Sequence, residues 1–410
     1  AMQETMRGSE LDEAEESVKD KLKKSRQELV TFAEQIYRND DAKKDEFIAK
    51  FEVYFDTEVN EVKIINTEHK DQFDLNIAGE GIRDRLDIPG NLVIRSLNCS
   101  NNHISIIPAL PKTLVSLNIR GNNMAEIPKL PANLLLFNCG KNRLTELPEL
   151  PDKLTDLMCD GNDILALPEL PDSIECLDFA SNSISAIPKL PHGLRTLICN
   201  YNSISVLPEL PPNLEVLDCI RTSLVELPEL PENLESLYCA SNRITNLPKL
   251  PNGLNLLSCG GNELEQLPEL PKRLTLLECY KNKLSSLPKM PDLLTKLECQ
   301  MNNLKQLPEL PKKLKTLICF SNNLSILPTL PNLEYLDCSC NYLEYLPELP
   351  STLTLLNCTT NQLKRLPRLP KDIETLRVSG NPLKRRTKSK IMKIAAAANP
   401  SIICDLFFPD

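Results

Sequence analysis

The chain of 410 residues predicts a repeat solenoid. Its expected form is a curved parallel β-sheet wound from about fifteen 20-residue coils, with a helical hairpin before it and a short helix after it. Three observations predict this. The run Cys-Tyr-Lys-Asn-Lys-Leu at 279–284 returns as Cys-Gln-Met-Asn-Asn-Leu at 299–304. Asparagine stands at positions 102, 122, 142, 162, 182, 202, 242, 262, 282, 302, 322, 341, 361 and 381, with Thr222 in the remaining slot, so the step is 20 residues everywhere except the 19 from Asn322 to Asn341. Between the copies lies a spacer, most often Leu-Pro-Glu-Leu-Pro, and fourteen such spacers hold 28 of the 33 prolines. A chain of this length exceeds what one hydrophobic core usually organises, and coils that pack only on their neighbours remove that limit.

Residues 1–70 read as an N-terminal helical cap. Leu11, Ala14, Val18, Leu22, Ser25, Leu29, Phe32 and Ile36 recur at spacings of three and four, one face of a helix from about Ser9 to Arg38. A second helix from about Asp41 to Phe55 would bring Phe47, Ile48, Phe51 and Tyr54 to the same surface. Residues 71–96 lead into the repeats, and Phe73, Leu75 and Ile77 alternate as an edge strand does.

Residues 97–381 are the repeats. In each, a short strand sends Leu277 and Cys279 to one face and Leu276, Glu278 and Tyr280 to the other, so one face is core and the other open. The asparagine after the strand turns the chain, and its amide can bond backbone groups left unpaired at the bend. Two prolines three residues apart forbid a helix and favour an extended, polyproline-II convex side, with the spacer leucines pointing inward. Thr222 replaces only part of an amide's bonding, which predicts a local weak point or an altered coil there. The 19-residue step loses its residue between Pro331 and Leu336, outside the strand.

Twelve of the fifteen cysteines, from Cys99 to Cys358, occupy one inward slot that Ile119, Phe179 and Val378 fill in three repeats. They read as small hydrophobes and free thiols of a reducing compartment. Adjacent strands about 4.8 Å apart with parallel Cβ vectors do not favour bridging. Only His69, His103 and His192 are present and no Cys-x-x-Cys pair exists, so no metal site and no cofactor are expected. Residues 382–410 form a C-terminal cap: Asn381-Pro382 breaks the last coil, and Thr387 to Ala398 reads as a closing helix.

Net charge is −9, so the molecule as a whole offers no footprint for nucleic acid or an anionic membrane surface. No apolar run is long enough to span a bilayer, and the opening AMQETMRGSE lacks the apolar core of a secretory signal. Neither a nucleophile–base pair nor a phosphate loop stands out, which points away from an enzyme and towards a protein partner.

The pattern Leu-x-x-Leu-x-[Leu/Cys]-x-x-Asn-x-Leu is the leucine-rich-repeat signature. With its Leu-Pro-Glu-Leu-Pro spacers at 147–151 and 267–271, the chain resembles the LPX-type leucine-rich-repeat effector family of bacteria. That family includes the Yersinia outer protein M and the Shigella and Salmonella effector ubiquitin ligases. The likeness covers about Asn91 to Asn381 and extends to the helical hairpin. Cysteine at the strand position departs from the expected leucine or isoleucine. The resemblance implies secretion by a bacterium into the host cytoplasm and binding of a host protein by a non-enzymatic scaffold. An alternative is the substrate-recognition part of an effector E3 ubiquitin ligase. The ligases of that family carry a Cys-x-Asp nucleophile motif; here Cys404 is followed directly by Asp405 and reads as a cap-core residue instead.

Candidate binding residues lie two, four and six places before each asparagine, on the open, concave face. Asp156, Asp160, Asp178 and Asp218 form an acidic stretch. Tyr238, Tyr280, Phe320 and Tyr335 form an aromatic one, interleaved with Glu278, Glu298 and Asp337. Tyr201 lies beside the row. Aromatic anchors favour a protein epitope; the alternative is that the rings cover neighbouring side chains and the acidic residues are a solvated face. The basic run Lys384-Arg385-Arg386-Thr387-Lys388-Ser389-Lys390 reads either as a nuclear-import or phosphate-binding patch or as the solvated start of the cap helix, which leaves a nuclear destination open.

Overall fold

The computed structural model describes residues 2–57, 61–69, 73–389, 391 and 403–405. The chain divides into two compact units, residues 1–196 and 197–410. Together they carry the expected leucine-rich-repeat solenoid, in which every coil supplies a strand of about three residues and a long irregular return.

The first unit opens with α1 (Met2–Ile36) and α2 (Asp41–Ala49). Asp40 caps α2 by accepting the Lys43 amide at 2.9 Å. Leu29, Phe32, Ala33 and Ile36 of α1 are buried. The Phe32 and Phe47 rings meet edge-on at 5.9 Å, and Phe47 lies 5.0 Å from Phe51. The second helix is shorter than the sequence suggested. Phe51 and Tyr54 belong to β1 (Phe51–Asp56), which pairs antiparallel with β2 (Glu61–Asn66). Alternation of aromatic and β-branched residues in Phe-Glu-Val-Tyr-Phe outweighs their accidental helical spacing. Gln35 ties α1 to the segment leading into the repeats: its amide donates to Asp87 at 3.0 Å and accepts the Asp87 backbone N–H at 2.7 Å.

The expected edge strand is present as Asp74–Asn76, paired in parallel with Ser96–Asn98. From there strands at Ser116–Asn118, Leu136–Asn138, Asp156–Met158 and Cys176–Asp178 pair successively in parallel register. In the second unit the same ladder runs from Val216–Asp218 to Thr375–Arg377.

One coil explains the rest. The Leu274 N–H donates to Pro271 O at 3.1 Å, a turn that ends the spacer, and the Thr275 N–H reaches the preceding coil at Asn255 O, 2.8 Å. In the strand Leu276–Glu278 the central Leu277 is buried and its neighbours half-buried. Cys279 is buried beneath them. Lys281 then takes a left-handed φ of 49°, and the residue before every other ladder asparagine is left-handed too. Asn282 Nδ2 donates to Cys279 O (3.1 Å) and to Cys259 O one coil back (3.0 Å), while its Oδ1 accepts the Leu264 N–H (3.0 Å). The spacer leucines Leu267 and Leu270 are buried, as expected. Each such side chain contributes about 1.5–3 kcal/mol of hydrophobic stabilisation relative to exposure.

The two irregular steps have their cause in the same anatomy. Between Asn322 and Asn341 the strands Thr316–Ile318 and Tyr335–Asp337 stay in register. The missing residue comes out of the turn, where the Leu333 N–H donates to Pro331 O at 2.7 Å instead of spanning three residues. At Thr222 the hydroxyl lies 2.9 Å from Cys219 O and 3.0 Å from Asn242 Oδ1, and it has one hydrogen to give. Asn242 Oδ1 also takes the amides of Thr222, Ser223 and Leu224, and Ser223 adopts φ 84°. The coil is altered as predicted.

At the C-terminus residues 385–389 and 391 are helical; the remainder of the expected helix, 392–398, lies outside the described residues. An unexpected strand, Ile403–Asp405, pairs with Thr375–Arg377 and places Cys404 in the register of core residue Leu376.

Candidate protein-binding face

All eleven candidate residues are half-buried on the open face of the strands. In the first unit the acidic stretch is already engaged. Arg120 grips Asp160 with both guanidinium nitrogens, Nη2 at 2.8 Å from Oδ2. The pair spans two coils because Gly140, the residue between them in this column, has no side chain; a Cβ there would meet both Arg120 and Asp160. The carboxylate raises the Arg120 pKa. Asp178 accepts the Ala180 N–H at 3.0 Å, and Asp156 accepts the Thr155 hydroxyl at 2.7 Å. Asn98, Asn118 and Asn138 occupy the column of Asp178 and also bond the amide two residues on. That column therefore has a turn-forming duty in which asparagine and aspartate are equivalent.

In the second unit Asp218 accepts the Ile220 N–H at 3.1 Å and the Asn200 amide. Burial pushes its carboxyl above the ordinary range, against the pull of both donors. Tyr238 stands in register between Asp218 and Ser258. The Tyr280 ring lies across Gly260, where a Cβ would come within 2.5 Å of it. Burial raises the Tyr280 hydroxyl pKa first, and Glu278 and Glu298 add to the effect. Burial does the same at Tyr335, helped by Asp337.

The carboxylates here are bridged. Lys296 Nζ sits 2.6 Å from Glu298 and 3.2 Å from Glu278, and the Ser258 hydroxyl donates to Glu278 at 2.8 Å. Asp337 accepts the Ser339 amide (3.0 Å), the Ser339 hydroxyl (2.6 Å) and Asn357 (2.8 Å). In the column between Tyr280 and Phe320 stands Gln300, 9% exposed, which donates to Glu298 at 3.3 Å. Its Oε1 is buried without a partner.

The structure thus brings Glu278, Tyr280 and Glu298 together around Lys296, with Gln300 and Phe320 next in line. Asp156, Asp160 and Asp178 each bond a different partner: Thr155, Arg120 and the Ala180 N–H. Sequence reasoning passed over Arg120, Lys296 and Gln300. Arg120 was legible in principle: it shares a column with Asp160, and a glycine stands between them. Among the described residues the most exposed aromatics are elsewhere, at Tyr201 (50%), Tyr342 (58%) and Tyr345 (55%); the Arg221 guanidinium lies 5.7 Å from the Tyr201 ring centroid. Among the described side chains, the fourteen cysteines from Cys99 to Cys358 are free. Burial pushes the Cys99, Cys239, Cys299 and Cys358 thiols up to about 12, which removes them as nucleophiles. Among the described residues, no three His, Cys, Asp or Glu side chains converge as metal ligands.

No protein-family profile matches the sequence, and a search of curated proteins returned no match. Solved structures do match. YopM from Yersinia enterocolitica WA-314 is 37% identical over 74% of this chain and 72% of its own, with a TM-score of 0.71. The YopM leucine-rich effector protein from Yersinia pestis is 31% identical, and the likeness covers 86% of this chain and 99% of that one with a TM-score of 0.74. The chain belongs to the YopM family of leucine-rich-repeat effectors. The functional domain of InlJ from Listeria monocytogenes, described as including a cysteine ladder, shares the fold at 23% identity and a TM-score of 0.50 over 61% of this chain. With a YopM protein covered almost end to end, the repeats and the cap are features of the family fold. No helix among the described residues is long and apolar enough to cross a membrane.

Proposed function

We propose that this YopM-family protein is a non-enzymatic scaffold that is delivered by a bacterium into a host cell and binds a host protein on the open face of its strands. The observation that carries the reading is the half-buried aromatic row Tyr238, Tyr280, Phe320 and Tyr335 with Glu278, Glu298 and Asp337 among it, set on a rigid ladder. Aromatic rings already held by neighbours lose little entropy on binding, and a rim of partly neutralised carboxylates supplies selectivity. Membership of an effector family and the free, buried thiols support a reducing destination such as the host cytosol.

A pull-down from host-cell lysate tests it, with wild type against a Tyr238→Ala, Tyr280→Ala, Phe320→Ala variant whose circular dichroism is unchanged. A protein captured by the wild type and lost from the variant is the expected result. Equal capture by both would move binding to another surface and sink the assignment to this face.

A further inference from the structure

We propose that the C-terminal end of the second unit is a second docking site, specific for an acidic protein segment that carries apolar side chains. Residues 364–390 hold ten Lys and Arg against Asp372 and Glu374, in a chain whose net charge is −9. Arg365, Arg368, Lys384 and Arg386 are exposed, and no ion pair among the described residues engages them. Unlike the carboxylates of the strand face, these cations have their charge still to place.

Beneath them the last spacer is less deeply buried than the interior ones. In every interior spacer at least one of the two apolar residues is buried, and in several, such as Leu267 with Leu270 and Leu307 with Leu310, both are. Leu366 and Leu369 of the last spacer are only half-buried. With Pro367 and Ile391 they floor a cleft whose rim is Arg365, Lys384 and Arg386. Here the floor of the cleft is apolar while its rim is cationic. That combination selects the occupant. Single-stranded nucleic acid needs aromatic platforms for its bases, and residues 361–391 contain no aromatic side chain. A bilayer needs apolar groups standing proud of the charges, whereas these leucines are recessed below them. A peptide with carboxylates for the rim and apolar side chains for the floor satisfies both parts.

The test is fluorescence anisotropy of the full chain with four probes: a Glu/Leu peptide, a peptide of equal charge with Ser replacing Leu, a single-stranded oligonucleotide, and vesicles containing anionic phospholipid. The Glu/Leu peptide should bind most tightly. Its affinity should fall by about tenfold in an Arg365→Glu, Lys384→Glu, Arg386→Glu variant of unchanged circular dichroism, and should weaken with salt. The Tyr238→Ala, Tyr280→Ala, Phe320→Ala variant should bind it as wild type does, which separates this site from the strand face. Failure of the Glu/Leu peptide to bind, equal affinity for the Ser peptide, preference for oligonucleotide or vesicles, or indifference to charge reversal would each overturn the proposal.

Discussion

Asn282 bonds two carbonyls and one amide with a single half-buried side chain. Replacement by alanine leaves the Leu264 N–H without its partner, at a cost of about 1–3 kcal/mol, and removes one of the two amide donors from each carbonyl, which keep Asn302 at Cys279 O and Asn262 at Cys259 O. Asn282→Ala should therefore lower the urea midpoint of unfolding by far more than a surface change, and an unaltered midpoint would refute the ladder's energetic role. This duty was legible in the sequence because the asparagine recurs in register at fourteen positions. The left-handed residue just before it was not. Lys281, Tyr201, Met301 and Thr360 share no side-chain chemistry, since what the position demands is a backbone conformation that the coil itself enforces. Gln300 was hidden for a related reason: its neighbours Tyr280 and Phe320 lie twenty residues away on either side, and nothing in its own repeat announces them.

At the scale of the coil, Thr222 is the point of departure. Thr222→Asn restores an amide where neighbouring coils have one and should stabilise the chain by about 1 kcal/mol. Amide exchange in the coil around residues 219–224 should slow in that variant. Uniform protection across this coil already in wild type would contradict the expected weakness. Coils, spacers and the shortened step were readable because each is a deviation from, or a copy of, one periodic pattern. The cap was read less well. Phe47, Phe51 and Tyr54 fall at helical spacing, yet only Phe47 is helical, and the strand β1 exists because β2 is there to pair with it. Pairing partners distant in sequence likewise concealed the strand Ile403–Asp405 and the Arg120–Asp160 bridge.

For the molecule as a whole, the cysteine ladder sets an alkaline limit. The thiols of Cys99, Cys239, Cys299 and Cys358 rise from an ordinary 9.0 to about 12 through burial. A raised folded-state pKa gives stability that is fully present below the unfolded value and lost as pH climbs towards the folded one. Between about pH 9 and pH 12 each of these thiols should remove up to about 1.4 kcal/mol per pH unit, because the unfolded chain ionises and the folded one does not. Urea midpoints should be flat up to about pH 8 and fall steeply above 9; a midpoint that holds at pH 10.5 would contradict this. The asparagine ladder bears on the history of the chain as well. Each amide joins the cysteine-position carbonyl of its own coil to that of the coil before, and these groups are backbone atoms, indifferent to the side chains around them. A coil can therefore be duplicated or lost by recombination without stranding a donor or an acceptor. Repeat number is then free to vary by whole periods, while the outward columns change residue by residue. Length and binding specificity thus become independently heritable traits.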